Sequence, residues 1–194
     1  MKFSSLFGLL ILLCFFIACQ SGPKIIDDLT DKSFELINQN NEQITFPDDY
    51  RGKYLVMGFI YTNCPDICPL VTQNLIKVQK ELGNPDDVQF LGVTFDPKRD
   101  TPEKLKEYKE VFNLEDNFDF LTGDSLTISE LMDSVRVRSQ VSFTQVRDDG
   151  KEVYFMNHSD KIIIVNPKGQ VIYEYGGSMT PVNYILEDLK KVRG

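Results

Sequence analysis

A chain of 194 residues is long enough for one domain with a sizeable core. Its apolar share of 42% and charged share of 26% are those of an ordinary globular protein. A formal charge of −8 without a basic stripe argues against a nucleic-acid binder, and the absence of a Walker loop or GxGxxG leaves a nucleotide cofactor without support.

The first segment reads as a targeting signal. Lys2 precedes a nearly unbroken apolar run from Leu6 to Ile17. The run is shorter than the roughly 20 residues a spanning helix needs, and long enough for the core of a signal peptide. It ends in Phe16-Ile17-Ala18-Cys19, followed by polar Gln20-Ser21-Gly22. A small residue directly before Cys resembles a bacterial lipobox, although Phe16 stands where Leu is usual. That resemblance implies cleavage before Cys19 and lipidation of Cys19. Residues 1–18 are then a signal peptide, 19–31 a lipidated tether and 32–194 a thioredoxin-like domain. An uncleaved N-terminal anchor is the alternative. Both readings put the domain in the cell envelope, membrane-anchored and facing the periplasm or exterior.

The body then alternates strands and helices. Phe34–Ile37 and Gln43–Phe46 flank a turn at Asn38 to Asn41 and form an N-terminal hairpin. Tyr54–Tyr61 is a continuous apolar run, as expected of a strand buried on both faces. Pro69 to Leu82 carries Leu70, Leu75, Val78 and Leu82 at helical spacing and stops at Gly83. Val88–Phe95 is a second buried strand. Thr101-Pro102 opens a helix to about Phe112 with an N-cap and Pro at the first position. Phe118–Leu121 is a short strand. Thr127 and Glu130 fit a capping box in a helix running to about Val137. Val141–Val146 and Val153–Met156 flank Asp148-Asp149-Gly150, an inserted hairpin. Lys161–Val165 and Gln170–Tyr175 form another hairpin about Asn166 to Gly169, and Thr180-Pro181 opens a last helix to Val192. The order is that of an α/β, thioredoxin-like fold with added segments.

Of four cysteines, Cys14 lies in the apolar run and Cys19 at the lipid site, which leaves Cys64 and Cys68 in the folded body. One pair is not a disulfide framework, and a domain of this size can rest on its core. The pair sits where a central strand hands over to a helix. Free N–H groups and the positive dipole end there favour thiolate. Residues four apart at a helix start share a face. They can close on one metal ion or on each other; a structural disulfide is the plain alternative.

Several motifs in order carry a resemblance. Tyr61-Thr-Asn-Cys64-Pro-Asp-Ile-Cys68-Pro69 resembles the CxxxCP motif of the Sco/SenC family, and Phe95-Asp-Pro-Lys-Arg-Asp-Thr-Pro102 resembles its DPxxDTP motif. Phe120-Leu-Thr-Gly123, Asn157-His158-Ser159 and Asn166-Pro-Lys-Gly169 match later landmarks, so the similarity runs from about Phe34 to Leu189. Asn157 and Asn166 stand where the family commonly has Asp. The resemblance implies a copper chaperone in cytochrome c oxidase assembly, with Cys64, Cys68 and His158 as metal ligands. It implies as partner the oxidase subunit that carries the dinuclear copper centre. It also implies that Asp96 and Asp100 shape the site mouth or meet the partner, although helix capping accounts equally well for Asp100.

Chemistry supports that ligand set. Two thiolates and an imidazole are soft donors that suit Cu(I), and with a solvent position they can admit Cu(II). Zinc is the rival, but a structural zinc site normally wants four protein ligands, and the chain offers no second His. A lone His is more often an ordinary surface or core residue. His158, however, directly precedes an expected strand, where thioredoxin-like folds face their active-site Cys pair. The competing function is a thiol–disulfide reductase using Cys64 and Cys68 as a redox pair to keep partner cysteines reduced. A peroxiredoxin-like peroxidase is more distant, because Tyr61 and Pro65 stand where such enzymes place a Thr.

Overall fold

The computed structural model describes residues 22–194 apart from Glu115, Asp149 and Lys151. The expected signal peptide and Cys19 therefore lie outside the described residues.

The strands are β1 (Asp27–Asp28), β2 (Phe34–Asn38), β3 (Gln43–Phe46), β4 (Tyr54–Ile60), β5 (Val88–Thr94), β6 (Phe118–Thr122), β7 (Ser139–Val146), β8 (Glu152–His158), β9 (Ile162–Val165) and β10 (Gln170–Tyr175). The helices of the described residues are α1 (Ile67–Leu82), α2 (Pro102–Val111), α3 (Ser125–Ser134) and α4 (Val182–Arg193), and a 3-10 turn lies at Asp48–Tyr50. Eight strands form one sheet in the order β1-β10-β9-β4-β5-β6-β2-β3. β4, β5 and β6 are parallel neighbours, and the remaining pairs are antiparallel. β7 and β8 stand apart as a two-stranded sheet. This is the expected thioredoxin-like α/β fold with an N-terminal hairpin, β2–β3, and an inserted one, β7–β8.

Burial explains the centre. β4 and β5 lie in the middle of the sheet, and nearly every residue of both is buried. Their largely apolar content, rich in Val, Leu, Ile and Phe, is what two covered faces require. Helix α1 lies close against β4 because Gly58 has no side chain: a Cβ there would come within 2.8 Å of Val71 and 2.9 Å of Leu75. Gly83 ends α1 in the left-handed conformation, at φ 77°.

Several boundaries differ from the sequence reading. Helix α1 starts two residues before Pro69, which puts Cys68 inside it. Pro69 is tolerated because first-turn N–H groups have no helical acceptor. Asp124, not Thr127, caps α3: its carboxylate accepts from the N–H groups of Leu126 and Thr127. The chain is packed before residue 32, since β1 pairs with β10 and Leu29 is fully buried. Finally, β8 runs on to His158, which pairs with Ser139, so His158 closes one strand instead of directly preceding the next. Polar Ser139 and Gln140 do not advertise that β7 begins two residues before Val141.

Candidate metal centre

Topology brings three segments to one end of the sheet. The loop after β4 carries Cys64, and the loop after parallel β5 carries Asp96 to Asp100. Strand β9 is antiparallel to β4, with Ile162 opposite Gly58, so the chain entering β9 arrives where β4 ends. Ligand sites of open α/β sheets favour this carboxyl-end position.

The two cysteines are free thiols in nearly solvent-free positions, Cys64 at 9% exposure and Cys68 at 0%. Asp66 makes no side-chain cap for α1. Instead the Cys64 sulfur accepts the Cys68 N–H at 3.4 Å, so a sulfur satisfies one of the orphan donors at the helix start. The Cys68 sulfur accepts the Tyr61 N–H, also at 3.4 Å. The Cys68 thiol beside it holds the Cys64 thiol well below the ordinary range, and His158 and the Cys68 N–H reinforce this against the cost of burial. Cys68 moves the other way, raised by the same contact and by its own burial.

His158 reaches in from the end of β8. Its Nε2 lies 4.0 Å from the Cys64 sulfur and 3.8 Å from the Cys68 sulfur. Its Nδ1 lies 3.0 Å from the Ser159 carbonyl, which as an acceptor fixes the proton on Nδ1 and leaves the Nε2 lone pair toward the sulfurs. Burial lowers the imidazole pKa, but the Cys64 sulfur and the Ser159 carbonyl outweigh it and the net shift is upward. The ring packs against Phe95 at 4.7 Å and edge-on against Tyr61 at 5.8 Å. The stretch that follows is pinned. The Asp160 carboxylate accepts from the Ser178 N–H and hydroxyl, and the Lys161 ammonium donates to the Val135 and Arg136 carbonyls.

The three donor atoms all lie within 4.8 Å of one another, and they are the only such His/Cys/Asp/Glu group among the described residues. Thiolate and imidazole donors sit about 2.0–2.3 Å from a first-row ion. Three donors around one ion in a plane are then about 3.8 Å apart by the same figure, which matches the sulfur–nitrogen distances here.

Asp96 and Asp100 are beside this group, but neither faces solvent: Asp96 is 4% exposed and Asp100 is 0%. Asp100 accepts from the Thr62 N–H and hydroxyl and from the Thr94 hydroxyl. It thereby ties the cysteine loop to β5. Burial raises its pKa, partly offset by these donors. Thr101, not Asp100, caps α2. Asp96 pairs with Arg99 and accepts the Tyr154 hydroxyl at 2.6 Å. The sequence reading missed Arg99 and Tyr154. Arg99 was visible only as a member of its motif, and Tyr154 carried no signal at all.

This chain belongs to the SCO1/SenC family, which it matches over residues 24–193. It is 30% identical over 189 residues to the SCO1 protein homolog of Bacillus subtilis, covering 94% of each chain. Among solved structures, it resembles a SCO1/SenC family lipoprotein from Bacillus anthracis with a TM-score of 0.72 and 28% identity, over 90% of this chain and 100% of that one. It resembles copper-bound ScoI of Arabidopsis thaliana with a TM-score of 0.67 and 27% identity, over 83% and 96%.

Proposed function

We propose that this protein holds copper through Cys64, Cys68 and His158 and delivers it to the dinuclear copper centre of cytochrome c oxidase during assembly. The observation that carries this reading is the convergence of two sulfurs and one imidazole nitrogen, with no fourth His, Cys or carboxylate donor grouped with them among the described residues. That set is soft enough for Cu(I) and too small for an ordinary structural zinc site. Copper bound to the Arabidopsis relative supports it, as does the oxidase-assembly role that the family resemblance implies.

The residues divide the work. Cys64 enters as a thiolate, while Cys68 and His158 give up protons or present a lone pair as the ion arrives. With three protein donors the ion keeps an open position, where a recipient's ligand can attach before Cys64, Cys68 and His158 let go. The buried aromatic rings of Phe95 and Tyr61 exclude water from the imidazole side. One Cu(I) per reduced domain is expected. With Cu(II), sulfur-to-copper charge-transfer absorption should appear and should be lost in Cys64→Ser and in Cys68→Ser; unchanged spectra in those variants would contradict the assignment.

The site belongs outside the cytoplasm, on a domain tethered through lipidated Cys19. Support comes from the lipobox-like sequence and from the lipoprotein description of the Bacillus anthracis relative. Cys19→Ala should leave the domain free of membranes, and a mature protein that keeps its Lys2 segment would refute cleavage.

A second reading rests on the lowered Cys64 thiol. Its thiolate can attack a partner disulfide, forming a mixed disulfide and releasing one partner thiolate. Cys68 then attacks the Cys64 sulfur and releases the second, which leaves the partner reduced and this chain oxidised by two electrons. The same two thiols can serve both tasks in turn.

A further inference from the structure

The thiols and the imidazole are held by different means. Cys64 lies in the loop between β4 and α1 and Cys68 in the first turn of α1, both within the buried core beside the main sheet. His158 sits on β8, which among the described residues pairs only with β7. Something other than sheet hydrogen bonding must turn β8 toward the sulfurs. Residues 159–161 fix where the chain leaves β8, but not which face of the strand is presented.

The polar contacts between β8 and the body concentrate on one residue. The Tyr154 hydroxyl donates to the Asp96 carboxylate at 2.6 Å. Arg99 Nη1 donates to the Tyr154 carbonyl at 2.8 Å, and the guanidinium carbon lies 3.5 Å from the centre of the Tyr154 ring. The Arg99 Nε pairs with Asp96, and the same guanidinium lies 5.5 Å from the Tyr61 ring. One Met156 N–H also donates to the Tyr61 hydroxyl, at a longer 3.4 Å. Asp96 is itself fixed on the end of β5: its N–H donates to Thr94, and its carbonyl accepts from Arg99 and Asp100. Along a strand, residues 154, 156 and 158 share a face. Whatever holds Tyr154 to the body therefore also points His158 at it.

We infer that Asp96, Arg99 and Tyr154 form a positioning clamp that turns β8 toward the body and so keeps the His158 nitrogen beside the two thiols. The inference rests on His158 being a copper ligand, as proposed above. It gives the loop after β5 a task distinct from ligation. A planar guanidinium that stacks on a ring while donating to a carbonyl and pairing with a carboxylate has no equivalent in lysine, so Arg99→Lys should not restore the clamp. Opening the clamp should also divide the two copper states. Two thiolates remain able to hold Cu(I), whereas Cu(II) depends more on the nitrogen donor.

Hydrogen exchange on the metal-free protein tests the clamp directly. In Arg99→Ala, amides of β7 and β8 should exchange at least about tenfold faster while those of β4 and β5 keep their protection. Tyr154→Phe keeps the ring and loses one hydrogen bond, so it should show the same pattern more weakly; it serves if Arg99→Ala does not fold. In copper binding, both variants should lose Cu(II) affinity by a larger factor than Cu(I) affinity. Unchanged β8 exchange, or equal losses of Cu(I) and Cu(II), would overturn the clamp. A wild-type protein that takes no copper would sink the copper reading instead, and the exchange result would still decide whether the clamp holds β8.

Discussion

The cysteine loop and the β7–β8 hairpin meet at one site but are built differently. The loop is bounded by β4, a central and almost wholly buried strand, and by α1, and its backbone is tied into the sheet through Asp100. The hairpin projects, with Val141, Phe143 and Val146 more than half exposed on β7. The sulfurs are thus part of the domain's core, while the nitrogen is supplied by an attachment. Under the proposed function, in which an ion is held and then surrendered, this division makes the imidazole the donor that can be let go with least damage to the fold.

The first way to break the comparison is to loosen the cysteine side. Asp100→Ala removes the acceptor for the Thr62 N–H and for two hydroxyls, leaving buried donors unpaired. Such groups cost about 1–3 kcal/mol. Denaturant unfolding should show a loss in that range, with weaker copper binding because the cysteine loop is no longer held to β5. A wild-type midpoint would mean that Asp100 does not anchor the loop.

A smaller effect sharpens the contrast between the two thiols. A thiol lowered in the folded state stays ionised below the ordinary value of about 8.5 and loses its charge only as pH falls through its own lowered pKa. Cys64 should therefore be alkylated at mildly acidic pH, where a free thiol is slow. Cys68, raised and fully buried, should not. Peptide mass mapping after alkylation at pH 6 reads both residues at once, and equal labelling would contradict the asymmetry.

Much of this was legible in the sequence, for identifiable reasons. The short apolar run of residues 54–60, bounded by turn residues, has the length and content of a doubly covered strand, and Gly83 marks the end of α1 through its positive φ. Cys64 and Cys68 stood out because no other cysteines remain in the body. His158 was found by elimination and resemblance, but its setting was misread: it closes a strand whose partner is largely polar on its first turn of pairing. Arg99 and Tyr154 were not legible, since their contact joins residues far apart in sequence, one in the loop after β5 and the other on the separate β7–β8 hairpin. The burial of Asp96 and Asp100 was equally hidden, because a carboxylate in a loop normally faces water.

X-ray absorption at the copper edge of the Cu(I)-loaded, reduced domain tests the central claim most directly. Two sulfur neighbours and one nitrogen neighbour are expected in the wild type, and two sulfurs with the imidazole signature gone in His158→Ala. A wild-type spectrum with the imidazole absent, or one unchanged by His158→Ala, would contradict the assignment of Cys64, Cys68 and His158 as one copper site.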